Sequence, residues 1–156
     1  MPVRETIGDP TRTRAVRFGL DPQRPTLLVL GGSQGSQAIN AMMSGIAEQV
    51  SPDERRRWQV LHITGAADEQ RVREAYAKHQ MNAWVTAFLR EMDAAYAQAD
   101  VVLARAGAST IAELASCGKP AVLIPYPGAA GHQLVNARLV EAIGGVARPV
   151  TMHEKH

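Results

Sequence analysis

Short apolar runs alternate with amphipathic stretches along this chain. Strands are predicted where aliphatic and β-branched residues cluster, at 27–30, 58–63, 84–86, 101–104, 121–124 and 146–148. Helices are predicted between them, at 36–43, 67–79, 92–97, 109–116 and 133–143, where apolar positions and end signals follow the helical period. Repeated strand–helix units of this kind predict an α/β fold: a Rossmann-like parallel sheet with helices on both faces and right-handed crossovers.

Length and composition indicate a single globular domain. The chain has 156 residues, of which 46% are hydrophobic and 21% charged, enough to bury a core without disulfides or metal. We divide it into a lead-in or interdomain linker at 1–20, a folded domain at 21–150 and a polar tail at 151–156.

Charge and cysteine content exclude several classes of protein. A net charge of +2 with few aromatic residues gives no reason to expect nucleic-acid binding. Arginine clusters at 12–17 and 55–57 are interpreted as solvated surface, although either could contact anionic lipid. The single cysteine, Cys117, forbids an internal disulfide and fits a reducing cytoplasm. No apolar stretch approaches the roughly 20 residues that span a bilayer, and the N-terminus does not resemble a signal peptide.

The first candidate binding loop follows the first predicted strand. Its sequence is Gly31-Gly32-Ser33-Gln34-Gly35-Ser36, and a helix is predicted directly after it. Glycines let main-chain N–H groups approach a bound group closely, and a helix N-terminus favours a phosphate. A tight turn without a ligand fits this stretch equally well.

A second candidate loop lies between the strand at 101–104 and the following helix. Small residues precede Ser109 and Thr110 at the helix start, where hydroxyl and N–H groups could hold a diphosphate. Glu113, one turn further on, could accept hydrogen bonds from two ribose hydroxyls. The alternative is a capping box from Thr110 to Glu113, and these residues alone favour the cap.

Other enzyme signatures do not fit. The glycine loop departs from the G-x-G-x-x-G dinucleotide pattern, and Gly118-Lys119 is followed by Pro120 rather than by Ser or Thr. Residues 153–156 do not form H-E-x-x-H. His62 lies in a predicted strand and is interpreted as a packed histidine, and Cys117 as a small buried residue.

Four motifs occur in a fixed order along the chain. They are the loop at 31–36, Phe88-Leu89-Arg90-Glu91-Met92 with Ala94-Ala95-Tyr96, the loop at 104–113, and Pro125-Tyr126-Pro127 with His132-Gln133 and Asn136-Ala137. Together they closely resemble the C-terminal domain of the MurG family, within glycosyltransferase family 28, over about residues 2–150. An ordered set of four is far more specific than one glycine turn.

The resemblance implies a donor site for UDP-N-acetylglucosamine. Arg4 ends Pro2-Val3-Arg4, which is similar to the family's Asn-Pro-Val-Arg motif at the phosphates. The residues implied at the diphosphate are Arg4, Gly32, Ser33, Gln34, Ala108, Ser109 and Thr110.

The same resemblance assigns the rest of the donor. The main chain of Leu89 is similar to the group that reads the uracil edge, with Met92 packed nearby, and Glu113 is similar to the ribose ligand. The residues implied at the sugar are His132, Gln133 and Asn136.

The activity implied is that of an inverting hexosyltransferase with the two-domain GT-B fold. Such an enzyme moves N-acetylglucosamine onto a lipid-linked muramyl-pentapeptide during peptidoglycan synthesis, and so serves cell wall, cell shape and cell division. No cofactor and no metal are implied. The location implied is the cytoplasm, with at most peripheral contact with the inner membrane. The lipid acceptor would be reached only through an N-terminal domain or a partner subunit.

The chain also departs from the family pattern. It holds only one of the two domains, and the catalytic base is expected in the missing N-terminal domain. It stops shortly after Val150 and carries Gly131 where relatives often have a polar residue. Three hypotheses stay open: the donor half of a MurG-like enzyme, a subunit of a split glycosyltransferase such as the eukaryotic dolichol-linked pair, and a UDP-N-acetylglucosamine-binding remnant without activity. The details at Gln34, His132 and Gln133 favour the first.

Overall fold

The computed structural model of the protein describes residues 18–31, 37–124 and the main chain of 147–149. The strands are β1 (Thr26–Leu30), β2 (Gln59–Ile63), β3 (Asn82–Thr86), β4 (Val101–Arg105), β5 (Ala121–Ile124) and β6 (Ala147–Pro149). The helices are α1 (Gln37–Gln49), α2 (Pro52–Arg57), α3 (Glu69–Lys78), α4 (Met92–Gln98) and α5 (Ala108–Cys117). The helix predicted at 133–143 lies outside the described residues.

The strands form one parallel sheet in the order β3-β2-β1-β4-β5-β6. The chain builds outward from β1 to β3 and then returns to place β4 on the other side of β1. The strand order therefore reverses between β1 and β4, which makes this pair the topological switch point of the sheet. The predicted α/β fold is confirmed.

Alternating side chains of the central strands supply a core on each face of the sheet. On one face Leu28 and Leu30 pack with Ala95 and Tyr96 of α4 and Leu114 of α5. Because successive residues of a strand point to opposite faces, a strand covered on both sides has no polar alternation. All five residues of β2 are accordingly buried.

The opposite face is covered by α1 and α3. Val29 packs there with Ile39 and Met43 of α1 and with Val72 and Tyr76 of α3. The sheet thus carries helices on both faces, as the sequence predicts.

Helix α2 was not predicted, although its end signals are present in the sequence. The Ser51 side chain accepts a hydrogen bond from the Glu54 N–H at 3.2 Å, and Pro52 begins the helix. None of its residues is buried, so no apolar stripe marks it as a helix. Its arginines, at 55–57, occupy the last turn, where they complement the helix dipole.

The amino end of the sheet is joined to the segment that precedes β1. Gln59 is fully buried, and its side chain bonds both main-chain groups of Asp21 and the Thr26 hydroxyl. Phe18 and Leu20, which the sequence-based division places in the lead-in, contact the core on the α4 face. The division into 1–20, 21–150 and 151–156 stays a prediction.

Candidate functional site

The strands that precede two of the predicted loops end side by side at the carboxyl edge of the sheet. One loop follows β1 and the other follows β4, and these strands are hydrogen-bonded neighbours in which Leu30 is paired with Ala104. Gly31 and Ala106, the residues that leave the two strands, are both buried. In open α/β sheets a ligand binds at this edge, at the point where the strand order reverses.

The second loop leads directly into α5. Gly107 is the N-cap, and its carbonyl accepts the first helical hydrogen bond from the Ile111 N–H at 3.0 Å. No side chain of the described residues caps this helix, and the N–H groups of its first turn have no intrahelical acceptor. Ser109 and Thr110 are its second and third residues. The end of α5 therefore offers donors and a partial positive charge to an anion.

The capping-box interpretation of Thr110 and Glu113 is wrong. A capping box needs Thr at the N-cap and Glu three residues later, whereas Thr110 already lies inside the helix and Gly107 is the cap. Spacing alone could not distinguish these arrangements: the helix starts at Ala108, three residues earlier than a Thr110 cap requires.

The described part of the chain does not require a glycine at position 107. A Cβ built on Gly107 meets no heavy atom of the described residues within 4 Å, and its φ of −73° is accessible to every residue. A glycine at this position leaves open space beside the start of α5.

The Glu113 carboxylate is held by a tyrosine from the neighbouring helix. The Tyr96 hydroxyl donates a hydrogen bond of 2.9 Å to Oε2 of Glu113. The Tyr96 side chain is 2% exposed, whereas Glu113 is half-buried. The contact links α4 to α5, and sequence patterns carry no signal for such a pair.

The loop between β3 and α4 lies at the same edge of the sheet. Leu89 and Met92 are half-buried and pack against the core on the α4 face. No hydrogen bond joins the Leu89 N–H or C=O to another described residue, so a donor and an acceptor are available on one residue. Phe88 beside it is 63% exposed. The sequence analysis assigned no role to Phe88, although a large aromatic residue in a predicted loop can indicate a binding surface.

A buried polar network ties the first turns of α1 to β2 and α3. The side-chain amide of Asn40 donates to the Thr64 carbonyl at 3.0 Å and to the Asp68 carboxylate at 2.9 Å. Its Oδ1 lies 2.8 Å from Nε2 of His62, whose Nδ1 lies 2.6 Å from the Tyr76 hydroxyl. Since the Asn40 oxygen can only accept, His62 carries its proton on Nε2 and accepts from Tyr76 at Nδ1.

His62 is fully buried, as expected for a packed histidine. Burial lowers its pKa from 6.5 to about 4, although the charge of Asp68 opposes the shift. Burial likewise raises the pKa of Tyr76. A neutral imidazole in this network orients its neighbours and does not transfer protons near neutral pH.

The remaining predicted site residues lie outside the described residues. The predicted site residues that the structure describes come from two segments at the same edge of the sheet. Leu89 and Met92 belong to the β3–α4 segment, and Ala108, Ser109, Thr110 and Glu113 belong to α5. The site residues outside the described residues are Arg4, Gly32, Ser33, Gln34, His132, Gln133 and Asn136.

A parallel sheet whose strand order reverses between β1 and β4 defines a doubly wound α/β domain. Residues 26–148 match the model of the glycosyltransferase family 28 C-terminal domain. The chain belongs to this family.

Curated relatives share this assignment. The chain is 47% identical over 130 residues to the UDP-N-acetylglucosamine--N-acetylmuramyl-(pentapeptide) pyrophosphoryl-undecaprenol N-acetylglucosamine transferase of Syntrophotalea carbinolica, covering 80% of the chain and 35% of that protein. It is 41% identical over 146 residues to the transferase of the same name from Desulfotalea psychrophila, covering 92% of the chain and 38% of that protein. The chain therefore spans about a third of the length of these relatives.

Solved structures give the same fold. The crystal structure of Acinetobacter baumannii MurG superposes with a TM-score of 0.74 at 29% identity, covering 97% of this chain and 44% of that one. The glycotransferase of kitacinnamycin superposes with a TM-score of 0.63 at 21% identity, covering 97% of this chain and 34% of that one, and bears on the fold alone. The prediction of a GT-B donor-type domain is confirmed.

None of the helices in the described part of the chain has both the length and the apolar character needed to cross a bilayer.

Proposed function

We propose that this chain binds UDP-N-acetylglucosamine as the donor-binding part of an inverting glycosyltransferase that converts a lipid-linked muramyl-pentapeptide to its N-acetylglucosaminylated form. The observation that carries the proposal is that β1 and β4, the strands before two small-residue sequences, end side by side at the switch point of the sheet, in a chain of this family. The names of the relatives supply the donor sugar and the acceptor.

The diphosphate is assigned to the space between these loops. The uncapped first turn of α5 at 108–110 supplies N–H donors and the hydroxyls of Ser109 and Thr110. The loop at 32–34 and Arg4 are proposed to meet the same phosphates from the other side. Charge grows on the diphosphate as UDP leaves the anomeric carbon, and fixed dipoles and an arginine stabilise that charge without having to reorganise.

The nucleoside is assigned to the α4–α5 side of the site. The main-chain N–H and C=O of Leu89, which no described residue pairs, match the acceptor and donor that the edge of uracil presents, with Met92 beside them. The Glu113 carboxylate is proposed to accept hydrogen bonds from the ribose hydroxyls, because it keeps free lone pairs beside its contact with Tyr96. His132, Gln133 and Asn136 are proposed to contact the sugar.

The acceptor chemistry is assigned outside this chain. We propose that the base which deprotonates the attacking hydroxyl belongs to an N-terminal domain or partner subunit, which also brings the lipid-linked acceptor. The protein would then work in the cytoplasm with peripheral contact with the inner membrane.

Calorimetric titration of the purified chain tests the donor assignment. UDP and UDP-N-acetylglucosamine are expected to bind, and ADP is expected to bind at least tenfold more weakly, since the unpaired main-chain groups of Leu89 would match uracil and not adenine. Removing two phosphate contacts by Thr110→Ala with Arg4→Ala is expected to weaken UDP binding by about 10- to 100-fold.

The matched control is Ser116→Ala, which removes a hydroxyl from the far end of the same helix and is expected to leave UDP affinity unchanged. Equal affinity for UDP and ADP, or unchanged UDP affinity in the double variant, would contradict the assignment.

A further inference from the structure

The Tyr96–Glu113 hydrogen bond joins a core residue to a residue of the proposed donor site. The Tyr96 ring belongs to the core cluster that includes Leu28 and Leu30, and its side chain is 2% exposed. Its hydroxyl reaches out of that cluster to Oε2 of Glu113 at 2.9 Å. The ring is fixed by its packing, so the position of the hydroxyl is fixed as well.

Glu113 itself lies at the rim of the core. It is half-buried on the second turn of α5, and a glutamate side chain has three rotatable bonds. Ordering such a side chain costs about 1 to 2 kcal/mol in rotamer entropy. The hydrogen bond from the fixed Tyr96 hydroxyl offsets this loss of rotamer entropy in the folded protein, before a ligand binds.

The contact leaves the carboxylate able to bind a second group. A carboxylate has about four acceptor positions on its two oxygens, and the Tyr96 hydroxyl occupies one of them on Oε2. Two neighbouring hydroxyls of a ribose can use the remaining positions. Met92 lies one helical turn before Tyr96 on α4, so one face of that helix serves both the base and the ribose sides of the site.

We propose that Tyr96 is a positioning residue, which holds the Glu113 carboxylate in the orientation that recognises the ribose 2′- and 3′-hydroxyls of the nucleotide. The inference rests on the proposed function, since it requires a uridine nucleotide in this site. It assigns to a buried core residue a share in the discrimination between ribose and deoxyribose.

The test compares UDP with 2′-deoxyuridine diphosphate on the full chain by calorimetry. In Tyr96→Phe, UDP binding is expected to weaken about five- to tenfold, whereas binding of the deoxy nucleotide changes less than about twofold. The decisive measurement is the ratio of the affinity for UDP to the affinity for 2′-deoxyuridine diphosphate, because a general loss of stability lowers both affinities together. Glu113→Gln is expected to lower the ratio similarly, and adding Tyr96→Phe to it should lower the ratio no further.

Tyr76→Phe is the matched control. Tyr76 is also 2% exposed, and its hydroxyl bonds the buried His62 on the opposite face of the sheet. This variant loses a buried phenol oxygen, as Tyr96→Phe does, yet is expected to keep the nucleotide ratio of the unaltered chain.

An unchanged ratio in Tyr96→Phe, alongside a lowered ratio in Glu113→Gln, would overturn the inference and leave the proposed function standing. Failure of the unaltered chain to bind either nucleotide would overturn both. A crystal structure of the unaltered chain with UDP gives a test that needs no variant. The carboxylate should contact the ribose and Tyr96 together, and a carboxylate that leaves Tyr96 to reach the ribose would also overturn the inference.

Discussion

At the scale of single residues, burial strongly shifts the pKa values of two described residues that lie outside the candidate site, Tyr76 and His62. His62 is neutral in the folded protein because burial outweighs the opposing charge of Asp68, and its pKa is lowered to about 4. The imidazole accepts from Tyr76 and donates to Asn40, so its neutral form completes the network. Protonation would place a second proton between Nδ1 and the Tyr76 hydroxyl.

The shift predicts how stability depends on pH. Between pH 6.5 and 4 the unfolded chain binds a proton at His62 that the folded chain does not bind, so the free energy of unfolding falls as the pH is lowered. The loss from this residue reaches about 2 kcal/mol at pH 5 and is absent above pH 6.5. Urea denaturation at pH 7, 6 and 5 measures this change in the free energy of unfolding.

The control for that measurement is His62→Gln, which removes the titrating ring. The variant is less stable at pH 7, and its unfolding free energy is expected to fall less steeply toward pH 5. Parallel slopes for the variant and the unaltered chain would show that His62 does not carry the dependence.

At the scale of elements, α5 begins without a side-chain cap from the described residues, and we propose that its first turn is kept open for an anion at some cost in helix stability. Ser, Asp and Asn are better N-caps than glycine, by a few tenths of a kcal/mol. Gly107 leaves the end uncapped although a side chain would fit there. A glycine N-cap at this position is consistent with the proposal that the N–H groups of the first turn bind a ligand.

Gly107→Ser tests that explanation. The new hydroxyl is expected to cap α5, so the melting temperature should stay equal or rise. UDP affinity should fall about tenfold or more, because the cap occupies the donors and the open space. Thermal unfolding and calorimetry on the same preparation separate the two effects.

Gly45→Ala in the middle of α1 is the matched control. A Cβ at Gly45 also meets no atom within 4 Å, so alanine is expected to stabilise the helix by about 0.5 to 1 kcal/mol without changing UDP affinity. If Gly107→Ser binds UDP as tightly as the unaltered chain, the diphosphate does not lie at α5.

At the scale of the whole molecule, the chain spans 35% to 38% of its first two relatives. We expect it to bind the donor sugar nucleotide alone and to transfer the sugar only when the remaining domain is present, because the acceptor and the base are assigned there. The measurement is transfer from radiolabelled UDP-N-acetylglucosamine to a lipid-linked muramyl-pentapeptide, with the chain alone and with the chain fused to the N-terminal domain of a relative.

Transfer by the unfused chain at the rate of the fusion would contradict this expectation. A fusion that binds the donor yet transfers nothing would favour a binding protein without activity over a transferase.

Much of this organisation was readable from the sequence. Short, mainly apolar runs of three to six residues predicted the strands, because a strand buried on both faces has few polar residues, and the predicted bounds of β5 match the observed ones. Helix α2 was not predicted because it has no buried face. The prediction of a capping box at Thr110 and Glu113 was wrong because the same spacing also occurs inside a helix.

By itself the sequence determined the alternation of elements, the parallel α/β class and the two glycine-containing loops, since each depends on local residue preferences. Only the tertiary structure decided that β4 returns beside β1, so that the strands before those loops end side by side, and that Tyr96 contacts Glu113. Both are contacts between segments distant in sequence. Their existence depends on which faces pack against one another in the folded chain, and no local pattern records that choice.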